Sequence, residues 1–243
     1  DGIHARGIDV LEEIARALSD DVWVVAPQEE QSGAARALTL HSPIRVRKYA
    51  DRRFAVSGTP SDAVTMGITR IMGDLRPDLI LSGVNNGQNL AEDVTLSGTI
   101  AAAFQGMTLG VPSIALSLSR ISREDAKWET ARAHGPKIVK DLLAAGWPKD
   151  VIVNVNFPDR APDAVEGVDV TRLGRRDTLQ LFSEERRDLR GGRYYWFGFH
   201  GRLSDPPAGT DLRAVYDGRI SVTPLHLELT HEDAAARLRA ALR

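Results

Sequence analysis

The chain contains no cysteine, and that absence removes several classes of protein at once. A disulfide-stapled fold, a thiolate metal centre and a cysteine nucleophile are all excluded. Charge of one sign is equally scarce. Lys and Arg number 31 against 33 Asp and Glu, a formal net charge of −2, so nothing draws the whole molecule to a nucleic-acid polymer or an anionic membrane. No apolar run approaches the ~20 residues that span a bilayer. The six histidines are scattered, without the spacing of a zinc hydrolase. Internal repeats and low-complexity tracts are missing too. What is present is 243 residues, 42% of them hydrophobic, enough for one large α/β domain with an extension.

Oxygen-bearing side chains cluster where apolar runs end. Leu79-Ile80-Leu81 breaks into Ser82-Gly83-Val84-Asn85-Asn86-Gly87-Gln88-Asn89, and Ser97-Gly98-Thr99 opens a helical pattern through Ile100, Ala103, Phe104 and Met107. A short apolar run bounded by turn residues reads as a buried parallel strand, and ligands of open α/β sheets sit beyond the carboxyl ends of such strands. Asn85 and Asn89 can offer amide oxygens to a metal or N–H groups to a phosphate, and the free N–H groups of a helix start favour anions. A plainer reading is also open, with Asn and Gly as turn residues and Ser97 or Thr99 as a cap.

The same pattern occurs twice more. Asp1-Gly2-Ile3-His4 leads directly into an amphipathic helix carrying Ile8, Leu11, Ile14 and Leu18, so a strand is expected immediately upstream of Asp1. The Asp1 carboxylate is a hard ligand suited to Mg²⁺ or Mn²⁺, or else a helix-start residue. The strand Val22 to Ala26 exits into Pro27-Gln28-Glu29-Glu30-Gln31-Ser32-Gly33, polar and then small. His4 is expected to orient its turn.

Strand and helix signals alternate thereafter. Ile44 to Tyr49 and Arg53 to Ser57 suggest a hairpin, and Thr59-Pro60 a capped helix start. Strands are expected at Leu79 to Leu81, Ser113 to Leu116 and Val151 to Val155. Helices are expected around Ile100 to Met107 and Glu129 to Ala145, the second kinked or delayed by Gly135-Pro136. Beyond Pro158 the character changes. Strand-like Val168 to Leu173 and Tyr194 to Phe199 flank the charged run Ser183 to Arg190, which reads as a solvated turn or face. The aromatics beside it suggest a hairpin arm packed on another subunit, and the amphipathic tail His231 to Leu242 suggests the same.

Taken in order, Asp1-Gly2-Ile3-His4, Val25-Ala26-Pro27 with Ser32-Gly33, Gly58-Thr59-Pro60-Ser61-Asp62, Ser82-Gly83-Val84-Asn85, Ser97-Gly98-Thr99, Gly209-Thr210-Asp211 and Ile220-Ser221-Val222-Thr223-Pro224-Leu225 resemble the SurE family of survival-protein 5′/3′-nucleotidases. The likeness covers nearly the whole chain. It implies a Rossmann-like, doubly wound, mostly parallel sheet with a C-terminal hairpin and tail for oligomerisation, divided here as a core of residues 1–175 and an extension of residues 176–243. Asp1 would be the second of an adjacent aspartate pair and a catalytic group. Asp1, Ser32 and Asn85 would hold one divalent metal ion, Mg or Mn, while Asn89, Ser97, Gly98 and Thr99 would surround the substrate phosphate. Ala91, Leu96 and Gln105 depart from residues common in the family, without removing an oxygen ligand.

The activity implied is metal-assisted hydrolysis of nucleoside 5′- and 3′-monophosphates, extending to short polyphosphate, in a cytoplasmic homodimer or homotetramer. Either water with an aspartate base or the carboxylate itself could attack phosphorus. A non-catalytic nucleotide or anion sensor could use the same helix start. A dinucleotide oxidoreductase is disfavoured, because the first turn lacks the G-x-G-x-x-G spacing.

Overall fold

In a computed structural model that describes residues 1–120, 125–176, 180–200 and 205–242, strands and helices alternate through the first two thirds of the chain. In order these are α1 (Arg6–Arg16), β1 (Val24–Pro27), β2 (Val46–Ala50), β3 (Arg53–Val56), α2 (Pro60–Met66), β4 (Ile80–Asn86), α3 (Gly98–Thr108), β5 (Ser113–Leu118), α4 (Trp128–Ala145), β6 (Val151–Phe157) and β7 (Val168–Val170). A hairpin of β8 (Gln180–Arg187) and β9 (Arg193–His200) follows, then α5 (Asp211–Tyr216), β10 (Ile220–His226) and α6 (Glu232–Ala241).

The strands form a five-stranded sheet in the order β4-β5-β6-β10-β7, a three-stranded sheet β1-β3-β2, and the isolated β8-β9 hairpin. β4, β5 and β6 are parallel, and β10 runs antiparallel to β6. Period-2 alternation places Ile114, Leu116, Leu118, Val153, Val155 and Phe157 on one face, under Val10, Ile14 and Ile138 of α1 and α4. Ala115 and Ile152 lie on the other, under Ile100 and Phe104 of α3. The sheet is thus wound on both faces. Among the described residues, no helix is long and apolar enough to cross a membrane.

β1 and β4 are edge strands of different sheets, and both line one cavity of about 490 Å³ whose wall also includes Asp1.

Four expectations differ in detail. β4 does not end at Leu81 but continues to Asn86, with a register shift against β5 between Ser82 and Asn85. Gly83 makes the continuation possible, because its φ of +131° suits glycine and a Cβ there would overlap the Leu116 carbonyl oxygen. Pro136 does not delay α4, which starts at Trp128 and runs through it. Gly135 lets Ile14 of α1 approach the helix. Ser183 to Arg187 form the solvated face of a strand, with Glu184 and Glu185 paired to Trp196 and Tyr195 across the hairpin, and only the end of the charged run falls in the turn at 188–192. Finally, residues 220–226, which the sequence reading puts in the extension, lie in the central sheet between β6 and β7. The hairpin leaves Trp196 61% and Phe197 78% exposed, and no residue of α6 is buried.

The start of α2 locks the segment carrying Ser32. Thr59 Oγ1 accepts from Asp62 N (3.1 Å) and donates to Ala37 O (2.7 Å). Asp62 accepts from Thr59 N (2.9 Å), Thr39 N (3.1 Å) and Thr39 Oγ1 (2.6 Å). Burial pushes the Asp62 carboxyl up, yet the bonds from Thr39 and Thr59 outweigh it and hold the group below its ordinary value. Folding therefore favours ionised Asp62. Its contribution is present above the ordinary carboxylate range and is lost as the pH falls below about 4.

In urea melts at pH 7, Thr59→Ala should be less stable by about 1 kcal/mol, from the lost cap. Asp62→Asn should also be destabilised, and its deficit against wild type should shrink between pH 5 and pH 3. A deficit that does not change with pH would contradict the assignment of ionised Asp62.

Candidate active site

Three chain segments converge beyond the carboxyl ends of the strands. The Asp1 turn is fixed by Ile3 N donating to Pro27 O (2.8 Å) and by Arg53 Nη2 donating to Ile3 O (2.9 Å). Arg53 is itself held by Asp9 (2.8 Å) and Glu12 (2.6 Å) of α1. The His4 ring meets Tyr49 edge-on, with centroids 5.0 Å apart.

Five of the seven sequence-predicted residues, Asp1, Ser32, Asn85, Gly98 and Thr99, line the same cavity. Their polar atoms sort by type. Ser32 Oγ donates to Glu30 Oε1 (2.8 Å), which leaves its lone pairs, and Asn85 Nδ2 donates to Gly87 O (2.9 Å), which leaves its Oδ1. With the Asp1 carboxylate, these acceptor ends are hard oxygens of the kind Mg²⁺ or Mn²⁺ takes, so the donor set fits such an ion. Among the described residues no three His, Cys, Asp or Glu side chains gather into a metal-binding group, so a cation would depend on these neutral donors.

At the start of α3, Ser97 is the N-cap and its Oγ accepts from Ile100 N (3.2 Å). Gly98 and Thr99 occupy the first helical positions, whose N–H groups have no partner within the helix. Gly98 lies against Pro60, where a Cβ would come within 2.9 Å of its Cγ, so the starts of α2 and α3 are neighbours. A helix start carries partial positive charge and suits a phosphate.

Asn89 and Ser97 are outside that lining. Asn89 is 5% exposed and its Nδ2 donates to Ser117 Oγ (2.7 Å). Its backbone N donates to Asn156 Oδ1 (2.8 Å), and its carbonyl accepts from Asn154 Nδ2 (2.9 Å) and Asn156 Nδ2 (3.2 Å). Ser117, Asn154 and Asn156 are fully buried on the α3 face of the sheet. They bind the loop leaving β4 to the ends of β5 and β6. The sequence reading passed over them, although Asn154-Val155-Asn156 carried a signal: polar residues at alternate positions of an otherwise apolar strand.

Arg176 escaped it, and Asp211 entered it only within the Gly209-Thr210-Asp211 motif, without a role. Arg176 grips the loop through Asp93, with two contacts of 2.7 Å, and through Leu90 O (3.1 Å). Asp211 is buried in the core, and that burial pushes its carboxyl up, against three backbone N–H bonds and the nearby Arg176 charge.

Comparison with known proteins gives one consistent result. The family model described as Survival protein SurE matches residues 1–180. The 5′-nucleotidase SurE of Caulobacter vibrioides is 59% identical over 245 aligned positions, covering all of this chain and 93% of that protein. The 5′-nucleotidase SurE of Parvibaculum lavamentivorans is 56% identical, covering all of this chain and 88% of its own length. Among solved structures, the SurE protein from Aquifex aeolicus superposes with a TM-score of 0.86 at 37% identity, covering 100% of this chain and 97% of that one.

The buried amides yield a stability prediction. Asn156→Leu leaves the Asn89 N–H without its acceptor, and a buried unsatisfied group costs about 1–3 kcal/mol. Guanidinium unfolding should show a loss in that range. An unchanged midpoint would mean that the loop finds another partner.

Proposed function

The chain belongs to the SurE family, and on that premise we propose that it is a metal-dependent nucleotidase hydrolysing nucleoside 5′-monophosphates, together with 3′-monophosphates and short polyphosphate. One observation carries the reading. Asp1, Ser32 and Asn85, which carry oxygen acceptors, and Gly98 and Thr99 at the start of α3 line one cavity.

Asp1, Ser32 and Asn85 would hold the cation, which when bound supplies Lewis-acid stabilisation of the phosphoryl oxygens. The N–H groups of Gly98 and Thr99 and the Thr99 hydroxyl bind the substrate phosphate and offset charge gathering on its equatorial oxygens. Ser97 fixes the helix start by capping it. Asn89 contributes by holding the loop between the two halves in place. Asp1, exposed and at the turn, accepts the proton of the attacking water. Gln105, one of the departures from the family pattern, donates to Thr65 Oγ1 (3.0 Å), and Leu96, another, is exposed.

The hairpin and tail fit contact with a second copy of the chain in a homodimer or homotetramer. Tyr195, Trp196, Phe197, Leu238 and Leu242 are all more than half exposed, a concentration of apolar surface that a symmetric interface of over ~1,000 Å² would cover.

Phosphate release from a panel of nucleoside monophosphates should need Mn²⁺ or Mg²⁺ and stop with chelator. A chain that binds phosphate without releasing any would instead be a sensor. Asn85→Ala and Ser32→Ala should each raise the metal requirement and lower turnover at least about 10-fold. Thr99→Val should weaken turnover and phosphate inhibition about 10- to 150-fold without altering metal affinity, the effect of one charge-assisted hydrogen bond. Wild-type behaviour of all three variants would remove the assignment. Light scattering should show an oligomer that shrinks when residues after Thr230 are deleted, and a full-length monomer at micromolar concentration would refute the exchange.

A further inference from the structure

The Gly209-Thr210-Asp211 segment has no part in the site described above, yet it reaches that site. Thr210 caps α5, accepting from Arg213 N (3.3 Å) and donating to Pro207 O (2.8 Å). Asp211 is completely buried. Its two carboxylate oxygens do different things. Oδ1 accepts from Gly174 N (2.7 Å) and Leu212 N (2.8 Å), both in the C-terminal half. Oδ2 crosses 120 positions of sequence to accept from Ala91 N (2.8 Å).

Ala91 sits in the loop that joins Asn85 to the start of α3, and its φ is +51°. A residue with a Cβ is uncommon in that region, so the conformation requires support from its surroundings. The Asp211 bond provides it. Ala91 and Leu90 are also buried with Leu212 and Val215, so the loop is seated against α5 by packing as well as by the carboxylate. A neutral side chain would cap the same helix without the cost of a buried charge.

We propose that Asp211 is a positioning residue of the nucleotidase site: by holding Ala91 in its left-handed conformation, it sets the path of the loop and hence the spacing between Asn85 and the phosphate-binding start of α3. This rests on the roles assigned above to Asn85 and to Gly98 and Thr99. Asn85 itself is fixed independently, by pairing with Ser117 in the sheet. Loss of the clamp should therefore misplace the phosphate end more than the metal end.

Asp211→Asn separates the two jobs of the carboxylate. An asparagine keeps two hydrogen bonds by turning its oxygen to Gly174 and Leu212, and then presents its N–H₂ to the Ala91 N–H, where it cannot bond. The variant should stay folded, with the loop disconnected. In the full chain, at saturating Mn²⁺ and nucleoside 5′-monophosphate, its kcat should fall about 10- to 100-fold. Inhibition by inorganic phosphate should weaken in parallel, and half-saturating Mn²⁺ should stay within about threefold of wild type. Adding Ala91→Gly should restore most of the activity, because glycine takes a positive φ without support. A purely structural role would not give that rescue.

Three outcomes overturn the proposal. The first is wild-type kcat and phosphate inhibition in Asp211→Asn. The second is a loss that follows a fallen thermal midpoint and resists Ala91→Gly. The third is a metal requirement that shifts as much as kcat. If wild type hydrolyses no nucleotide with either cation, the functional reading itself fails. An active wild type with an unaffected Asp211→Asn variant removes the clamp alone.

Discussion

Two buried amides near the end of one parallel strand fix where much of the site must be. Asn154 and Asn156, fully buried in β6, would each be costly in an apolar interior without partners. Their partners are the N–H and C=O of Asn89, together with each other (Asn156 Nδ2 to Asn154 Oδ1, 3.2 Å). The loop leaving β4 therefore cannot wander, because each excursion would strand several buried polar groups at once. The floor is polar further along too, where Thr171 Oγ1 meets Ser221 Oγ (2.8 Å) and Thr223 Oγ1 (2.7 Å) on β10. A sheet that is apolar under α1 and α4 is hydroxyl- and amide-lined on parts of its other face.

From that floor the site is closed from two sides. On the N-terminal side, Asp62 and Thr59 at the start of α2 hold residues 37–39 and thereby the segment that carries Ser32. On the C-terminal side, Asp211 and Arg176 hold residues 90–93. Each side uses a carboxylate that accepts several backbone or hydroxyl hydrogens, and the two differ in charge balance. Bonds from Thr39 and Thr59 more than offset the burial of Asp62 and lower its pKa, whereas at Asp211 burial outweighs three N–H bonds and raises it.

What the sequence revealed follows from how local each interaction is. Alternating apolar residues placed β5 and β6, and Thr59-Pro60 and Ser97-Gly98 marked the starts of α2 and α3, because strand faces and caps are decided within a few residues. The grouping of the candidate residues came from the family resemblance, and five of the seven line one cavity. The continuation of β4 past Leu81 was hidden because Ser82-Gly83 reads as a break, and only the approach of Leu116 O explains the glycine. The return of β10 to the sheet was hidden because strand order is not local. Asp211 was noticed within the Gly209-Thr210-Asp211 motif, but its contact was illegible for the same reason, since its partner at Ala91 is 120 residues away. Asn89 was expected around the substrate phosphate, but it lies outside the cavity lining and its amide is engaged with Ser117.

The division of polar atoms around the cavity goes one step further than the list of residues. Ser32 spends its hydroxyl hydrogen on Glu30 and Asn85 one of its two amide hydrogens on Gly87 O, and both keep oxygen lone pairs. The start of α3 does the reverse. Ser97 Oγ satisfies the Ile100 N–H and leaves those of Gly98 and Thr99 as donors. On the proposed reading, one wall would meet a cation through oxygen lone pairs and the other a phosphate through N–H groups, and a phosphomonoester would bridge the two. Asn154 and Asn156 hold the loop between those walls through Asn89, and the proposed Asp211 clamp would set the distance between them.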